Sequence, residues 1–157
     1  MEPEKEFLPL LPLVKEVIQV LQHTHDWPVK CQAVVVEIPE KMDCWADPQQ
    51  IERLLLNLLH NSCVSLKNRA GEIRIIAKEA EDDTGAERTV ITISDTGRGI
   101  PDLFINKIYE PFFTTRENGT GLGLSIVKQI VNVHGGDIYI SSTENQGTTA
   151  EIWLPLP

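Results

Sequence analysis

The sequence predicts one α/β domain in which three helices pack on one face of a mixed, mostly antiparallel sheet. Apolar side chains recur every three or four residues in three long segments, and shorter segments between them are rich in β-branched residues. The chain has 157 residues, of which 41% are hydrophobic, and this is enough for one sizeable core. The predicted fold class is therefore a two-layer α/β sandwich.

The elements follow in chain order from these patterns. Asp47 is predicted to cap the second helix, with Pro48 at its first position, and Gly135 with Gly136 to end the third. The acidic segment 81–87 is predicted to be the turn of a hairpin. The predicted elements are a helix at 10–22, strands at 31–38 and 43–46, a helix at 49–66, strands at 72–78 and 89–94, a helix at 122–134, and strands at 137–142 and 148–154.

The charge balance limits the classes of ligand. Fourteen basic and 23 acidic residues give a formal net charge of −9, which argues against nucleic acid and against an anionic membrane surface. A nucleotide triphosphate could be held only locally, with a divalent cation and backbone N–H groups offsetting the repulsion. Mg²⁺ is therefore expected with any such ligand.

Cysteine usage and the N-terminal segment predict a cytoplasmic domain. Cys31, Cys44 and Cys63 are odd in number and have no paired spacing, so buried free thiols in a reducing compartment are expected. The first 17 residues carry acidic side chains and prolines where a signal peptide would be basic and then apolar. No apolar run approaches the length of a membrane span, although a parent protein could be membrane-anchored.

Residues 94–123 form the stretch around which the chain is organised. Asp95 ends a predicted strand, two glycines follow it, and three more glycines open the third helix. Glycine lets backbone approach a ligand closely, and the N-terminus of a helix offers unpaired N–H groups to an anion. This pattern predicts a nucleotide site with an adenine end and a phosphate end. The glycines are Gly97, Gly99, Gly119, Gly121 and Gly123.

Two asparagines interrupt the leucine-rich second helix. Asn57 and Asn61 lie four residues apart, one above the other on one helix face. They can be ordinary surface residues, or their amide oxygens can complete the all-oxygen octahedral shell of Mg²⁺ together with phosphate oxygens and water. His60 points about 100° away from Asn61 around the helix and is predicted to be a packing or surface residue.

Four blocks of sequence occur in an order that resembles the ATP-binding catalytic domain of sensor histidine kinases. This domain belongs to the superfamily shared with DNA gyrase, Hsp90 and MutL, whereas P-loop, dinucleotide and protein-kinase glycine patterns do not fit. The blocks are LLLNLLHN (54–61), similar to the N box, DTGRGI (95–100), similar to the G1 box, YEPFFTT (109–115), similar to the F box, and GTGLGLSI (119–126), similar to the G2 box. The resemblance covers residues 7–157 and implies the Bergerat fold, with ATP and Mg²⁺ as ligands.

The resemblance assigns roles to individual residues. Asp95 would accept a hydrogen bond from the adenine amine, a donor that guanine lacks, and so select ATP over GTP. Asn61 is implied as the firmer metal ligand, with Asn57 beside it, and Gly97 and Gly99 would turn beneath the base. The remaining nucleotide contacts implied are Ile100, Phe112, Phe113, Thr115, Gly119, Thr120, Gly121, Leu122 and Gly123.

The lid and its surroundings depart from the family pattern in two ways. The lid, 114–118, is short like that of nitrogen-regulation type kinases, and Arg116 is its only cation, predicted to meet the γ-phosphate. Val64 stands where many family members carry a lysine or arginine that touches phosphate. Phe112 and Phe113 resemble the pair that anchors the lid and contacts the phosphoacceptor helices, with ordinary core aromatics as the alternative.

The sequence favours phosphoryl transfer over hydrolysis. Hydrolysing members of the superfamily place a glutamate base where this chain has Asn57, so catalysis is assigned to positioning and charge neutralisation by Asn57 and Arg116. None of the four histidines has the setting of a phosphoacceptor box, so the whole chain, 1–157, is predicted to be one catalytic domain without that hairpin. It would be excised from a longer kinase or act in trans, with a helical hairpin and a response regulator as partners. The alternatives are a non-catalytic nucleotide-binding module and a serine-directed kinase of the anti-sigma-factor type.

Overall fold

A computed structural model describes residues 2–111, 113 and 123–157 of the chain. Within these residues there are three α-helices, seven strands and one 3₁₀ turn. In chain order the elements are β1 (Glu6–Pro9), α1 (Leu10–Gln22), β2 (Cys31–Glu37), β3 (Asp43–Ala46), α2 (Pro48–Ser65), β4 (Gly71–Glu81), β5 (Glu87–Asp95), a 3₁₀ turn (Ile105–Lys107), α3 (Gly123–Val133), β6 (Asp137–Thr143) and β7 (Gly147–Pro155).

Five of the strands form one mixed sheet in the order β2-β4-β5-β7-β6. Only the β2–β4 pair is parallel, and the other three pairs are antiparallel. The central strand β5 ends at Asp95, which pairs with Ile73 on β4 and with Thr148 on β7. Because neighbours flank it on both sides, the end of β5 is held in a fixed place on the sheet.

The helices cover one face of this sheet and enclose the core between the two layers. Alternate residues of the strands point toward the helices, as the period of two requires. Helix α2 lies between α1 and α3 and contributes the largest apolar face, in agreement with the predicted sandwich. Fully buried side chains at this interface include Leu54, Leu55, Ile75, Ile91, Val127 and Ile152.

The predicted element types are confirmed, and the differences lie in strand length and in β1. The hairpin strands β4 and β5 extend further toward their turn than the sequence predicted. Strand β1, four residues long, was not predicted, and it pairs antiparallel with β3 as a separate two-stranded sheet. Such a short strand has no usable alternation of its own, so pairing with β3 decides its conformation.

Asp47 caps α2 as predicted and ties three parts of the chain together. Its Oδ1 accepts hydrogen bonds from the backbone N–H groups of Gln49 and Gln50, at 3.0 and 3.2 Å. Its Oδ2 accepts from the N–H of Glu4 at 2.9 Å, and its own N–H donates to His134 Nε2 at 3.1 Å. The start of α2 is therefore anchored to both the N-terminal segment and the end of α3.

His134 is held in one neutral form by these contacts. Its side chain is 1% exposed, and its Nδ1 lies 2.8 Å from the carbonyl oxygen of Ile130. Nε2 accepts the Asp47 N–H, so the proton must sit on Nδ1, where it is donated to Ile130. Burial lowers the pKa of His134, because the charged imidazolium would lose its hydration and the acceptor role of Nε2.

Acidification is therefore expected to destabilise the domain through His134. The pKa of this histidine is about 6.5 in the unfolded chain and lower in the folded domain. Below about pH 6.5 the unfolded chain therefore binds more protons than the folded domain does. The stability that this residue supplies is present above about pH 6.5 and is lost as the pH falls through the folded-state pKa. Chemical denaturation of the wild type should show a slope of up to about 1.4 kcal/mol per pH unit that the His134→Phe variant lacks.

The matched control for this measurement is His25→Gln, because His25 lies in an exposed turn. This variant should keep the wild-type pH dependence of the free energy of unfolding. If the free energy of unfolding depends equally on pH in the wild type and in His134→Phe, His134 has the same pKa in the folded and unfolded states, which contradicts the prediction.

No helix in the described part of the chain has both the length and the apolar character needed to cross a membrane.

Candidate nucleotide-binding site

A cleft opens between the C-terminal half of α2, the sheet and the segment that follows β5. Its empty volume is about 990 Å³, including space open to solvent, which suits a nucleotide-sized ligand. Most of the residues that line it are apolar or glycine, and six have polar side chains. The lining residues are Leu58, Asn61, Ser62, Val64, Ser65, Ile93, Asp95, Arg98, Gly99, Ile100, Ile108, Phe113, Gly123, Leu124, Ile140, Thr148 and Ala150.

Asp95 is the acceptor at one end of the cleft. Its side chain is 9% exposed, and its Oδ1 accepts hydrogen bonds from the N–H of Gly97 at 2.9 Å and from Ser65 Oγ at 3.0 Å. Burial raises its pKa, and hydrogen bonds from Gly97, Ser65, Ser62 and Thr148 oppose that rise. A desolvated carboxylate of this kind favours a ligand that donates a hydrogen bond to it.

The glycines after Asp95 are required by contacts within the protein. A Cβ on Gly97 would collide with Ser65, lying 2.5 Å from its carbonyl oxygen. Gly99 has a φ of +67°, and a Cβ there would clash with the carbonyl oxygen of Thr143. The turn beneath the predicted base position therefore needs glycine because α2 and the β6–β7 turn press against it, a reason that the sequence did not reveal.

Replacing Gly97 with alanine is expected to destabilise the domain by about 2 kcal/mol and to abolish nucleotide binding. The added methyl group cannot fit unless the backbone of α2 or of the loop moves, and that movement displaces Asp95. Thermal unfolding and ATP titration measure the two effects.

Gly85→Ala is the control for this change. Gly85 also has a positive φ, +83°, but no neighbour lies within 4 Å of the added Cβ. It should cost about 1 kcal/mol of stability and leave nucleotide binding unchanged. An unaltered ATP affinity in Gly97→Ala would contradict the packing argument.

The two asparagines are placed differently relative to the cleft. Asn61 lines the cleft directly. Asn57 donates from Nδ2 to the carbonyl oxygen of Arg53 at 2.9 Å, and its Oδ1 lies 3.3 Å from where a Cβ on Gly123 would stand. The amide oxygen of Asn57 thus lies close to the first residue of α3, and a helix N-terminus is a place where backbone N–H groups can face an anion.

An aromatic pair contributes to one wall of the cleft. The rings of Phe104 and Phe113 lie 5.6 Å apart between centroids, tilted by 46°. Phe113 also lines the cleft beside Ile108. Phe104 was not singled out from the sequence, because it lies outside the resemblance blocks.

Several predicted site residues lie outside the described residues. These are Phe112, Thr115, Arg116, Gly119, Thr120, Gly121 and Leu122. Of the predicted residues that are described, Asn61, Asp95, Gly99, Ile100, Phe113 and Gly123 line one cleft. Gly97 is buried against α2 next to it, and Asn57 faces its α3 end.

Sequence reasoning missed four polar residues that line the cleft. Ser62, Ser65, Arg98 and Thr148 all face it. Ser65 could have been found, since it continues the four-residue spacing of Asn57 and Asn61 along α2. Ser62 lies on the periodic buried face of α2, four residues after Leu58, whereas Arg98 and Thr148 had no periodic signal because loop geometry and strand pairing bring them to the cleft.

The remaining histidines stay outside the cleft lining. His60 Nε2 lies 2.7 Å from Asp26 Oδ2, and both side chains are partly exposed. This agrees with the predicted surface or packing role of His60. All three cysteines are free, and Cys44 and Cys63 are buried as predicted, whereas Cys31 is only half-buried.

Comparison with known proteins agrees with this geometry. The profile of the family described as "Histidine kinase-, DNA gyrase B-, and HSP90-like ATPase" matches residues 46–157, well over half of the chain. The chain belongs to this family. Within it, the domain is of the sensor histidine kinase type, as its relatives show, so the predicted Bergerat fold and kinase class are confirmed.

The relatives are kinases of greater length. The HATPase domain is 41% identical over 111 residues to the sensor histidine kinase ZraS of Salmonella typhimurium, covering 71% of this chain and 23% of that protein. It is 32% identical over 154 residues to sporulation kinase A of Bacillus subtilis, covering 96% of this chain and 24% of that kinase. The chain therefore spans about a quarter of the length of these curated relatives.

A solved structure matches the domain over nearly its full length. The catalytic domain of histidine kinase ThkA, solved in a nucleotide-free form, superimposes with a TM-score of 0.77 at 28% identity. The match covers 99% of this chain and 96% of that one.

Proposed function

We propose that this HATPase domain binds ATP with Mg²⁺ and donates the γ-phosphate to a histidine on a separate helical hairpin. A response regulator then receives the phosphoryl group on an aspartate, and the domain works in the cytoplasm. The single observation that carries the proposal is the cleft that joins a buried carboxylate, Asp95, to Asn61 and the start of α3. In this proposal the part of the cleft at Asp95 binds the base, and the part at Asn61 and the start of α3 binds the phosphates.

Each described residue has a defined task in this proposal. Asp95 accepts the hydrogen bond of the adenine amine, and the apolar side chains of Ile93, Ile100 and Ile140 exclude water around the base. Backbone N–H groups at the start of α3, from Gly123 onward, stabilise phosphate oxygens. These contacts orient the triphosphate so that its γ-phosphorus meets the incoming nucleophile in line.

The amide oxygens of Asn57 and Asn61 fit Mg²⁺, which prefers oxygen ligands and retains waters and phosphate oxygens in its shell. When bound, the ion supplies charge neutralisation of the β- and γ-phosphates. Arg116, in the lid, is assigned to the γ-phosphate as a second positive charge. In the transfer, histidine Nε2 forms a bond to the γ-phosphorus, the bond from that phosphorus to the bridging oxygen breaks, and ADP leaves.

Phosphoryl transfer is preferred to hydrolysis because Asn57 cannot take a proton from water near neutral pH. Its Oδ1 faces Gly123, and its Nδ2 is occupied by the carbonyl of Arg53. An amide in this setting can bind a cation or a phosphate but cannot act as a general base. The acceptor hairpin belongs, in this proposal, to another segment of a longer kinase or to a partner subunit.

The decisive experiment mixes the domain with a dimeric phosphoacceptor hairpin and γ-labelled ATP, with and without Mg²⁺. Labelling of a histidine, recognised by its acid lability, is expected only with Mg²⁺, and Arg116→Ala should reduce it at least tenfold. Lys107→Ala, an exposed cation on the 3₁₀ turn, is the matched control and should label normally. ATP binding without any labelling would leave a non-catalytic module, and an acid-stable label would indicate a serine-directed kinase.

A further inference from the structure

Ser65, the last residue of α2, connects the helix to the loop after β5. It lies one turn beyond Asn61, and two turns beyond Asn57, on the same side of the helix. Its Oγ donates to Asp95 Oδ1 at 3.0 Å, and its carbonyl oxygen accepts the N–H of Arg98 at 3.0 Å. Ser65 is therefore tied to both sides of the Gly97 turn.

Two of the hydrogen bonds that Asp95 accepts fall on the same oxygen of its carboxylate. Oδ1 accepts from Ser65 Oγ and from the Gly97 N–H, which meet it at 3.0 and 2.9 Å. A carboxylate oxygen has two lone pairs, so these donors fill Oδ1. They also fix the rotation of the carboxylate about its last side-chain bond, which is otherwise broad.

We propose that Ser65 is a positioning residue for base recognition, whose hydroxyl holds the Asp95 carboxylate so that Oδ2 meets the 6-amino group of adenine. This inference rests on the proposed ATP-binding function and adds a specificity-determining residue to it. Ser65 acts through Asp95 and touches neither the phosphates nor the metal. Its removal should therefore weaken recognition of the amino group alone.

Because Asp95 is buried in the cleft, the hydrogen bond from the Ser65 hydroxyl helps to keep its carboxylate ionised. Burial raises the pKa of Asp95, and the hydrogen bond from Ser65 favours the ionised form that accepts from adenine. The other titratable groups nearby are Arg98, which also lines the cleft, and the Cys63 thiol. Burial raises the pKa of Cys63 to about 12, so this thiol stays neutral across the range of the measurement.

The test compares ATP with purine riboside triphosphate, which has the same phosphates and sugar but lacks the 6-amino group. Ser65→Ala should weaken ATP binding about tenfold and change the affinity for the analogue less than twofold. In phosphotransfer, KM for ATP should rise while kcat at saturating ATP is unchanged. Ser94→Ala removes a hydroxyl beside Asp95 on the opposite face of the sheet, and should match the wild type.

The pH dependence of ATP binding is a measurement that would not change if Ser65 had only a structural role. Losing the hydroxyl raises the Asp95 pKa further, so ATP binding by Ser65→Ala should fail at a higher pH than in the wild type. Because the analogue carries the same triphosphate, its profile corrects for titration of the phosphates. Thermal unfolding of each variant monitors the integrity of the fold.

The outcomes separate this inference from the proposed function. Absence of ATP binding by the wild type would refute both. If the wild type binds ATP and Ser65→Ala binds it equally well with the same pH profile, the positioning role is wrong while the function stands. Equal weakening for ATP and the analogue would also overturn it, because Ser65 would then support the loop and not the amino-group contact.

Discussion

Replacing Asn61 with alanine is expected to slow phosphoryl transfer at least a hundredfold while ATP still binds. Asn61 lines the cleft, where its amide oxygen is proposed to hold Mg²⁺ on the phosphates. Losing that ligand removes positive charge from the place where negative charge develops, an effect of several kcal/mol. Single-turnover transfer from labelled ATP, measured at increasing Mg²⁺, gives the size of the loss.

The structure provides matched comparisons for Asn61. Asn132→Ala, on an exposed face of α3, removes the same amide and should transfer at the wild-type rate. Asn61→Asp keeps an oxygen ligand and should recover much of the activity at high Mg²⁺. A normal rate in Asn61→Ala would place the metal elsewhere.

Changing Asp95 to asparagine is expected to weaken ATP binding about a hundredfold and to narrow the preference for ATP over GTP. The amide oxygen can keep the hydrogen bonds from Gly97 and Ser65, so the loop should stay in place. The amide NH₂ then stands where the second carboxylate oxygen was, facing the adenine amine donor to donor. Guanine presents an acceptor, O6, at that position, so the affinity for GTP is reduced less than the affinity for ATP.

Titration of ATP and GTP against wild type and Asp95→Asn measures this change in specificity. Asp102→Asn, an exposed carboxylate beyond the glycines, is the control and should leave both affinities unchanged. Thermal stability should be maintained or increased in Asp95→Asn, because a neutral amide carries no charge-desolvation cost when buried. An undiminished ATP affinity in this variant would remove Asp95 from base recognition.

Much of the fold could be predicted because its signals are local. Helix α2 has a capping aspartate, a proline at its first position and a leucine stripe, all within one continuous segment. In the second half of β5, from Ile91 to Asp95, buried residues alternate with half-buried ones, as expected where one face of a strand is covered. Strand β1 could not be predicted, since four residues do not establish a period and only the partner strand β3 holds them.

The turn that contains Gly97 and Gly99 has contacts that could not be predicted from the local sequence. The sequence indicated that Gly97 and Gly99 make room for a ligand, whereas the structure places α2 and the β6–β7 turn against them. Similarly, His134 had no recognisable role in the sequence, because its partner Asp47 is 87 positions away. Contacts between distant segments leave no periodic pattern in either one.

The order and spacing of residues in the four blocks by themselves determined the fold family of this chain and its resemblance to the catalytic domain of sensor histidine kinases. Local interactions are sufficient for that, since helix caps, apolar helix faces and glycine positions depend on residues that are close together in the sequence. Only the tertiary structure decided how the Asp95 carboxylate is oriented. Its Oδ1 accepts a hydrogen bond from Ser65, thirty residues earlier on another element, and a hydrogen bond across that separation exists only once α2 has packed on the sheet.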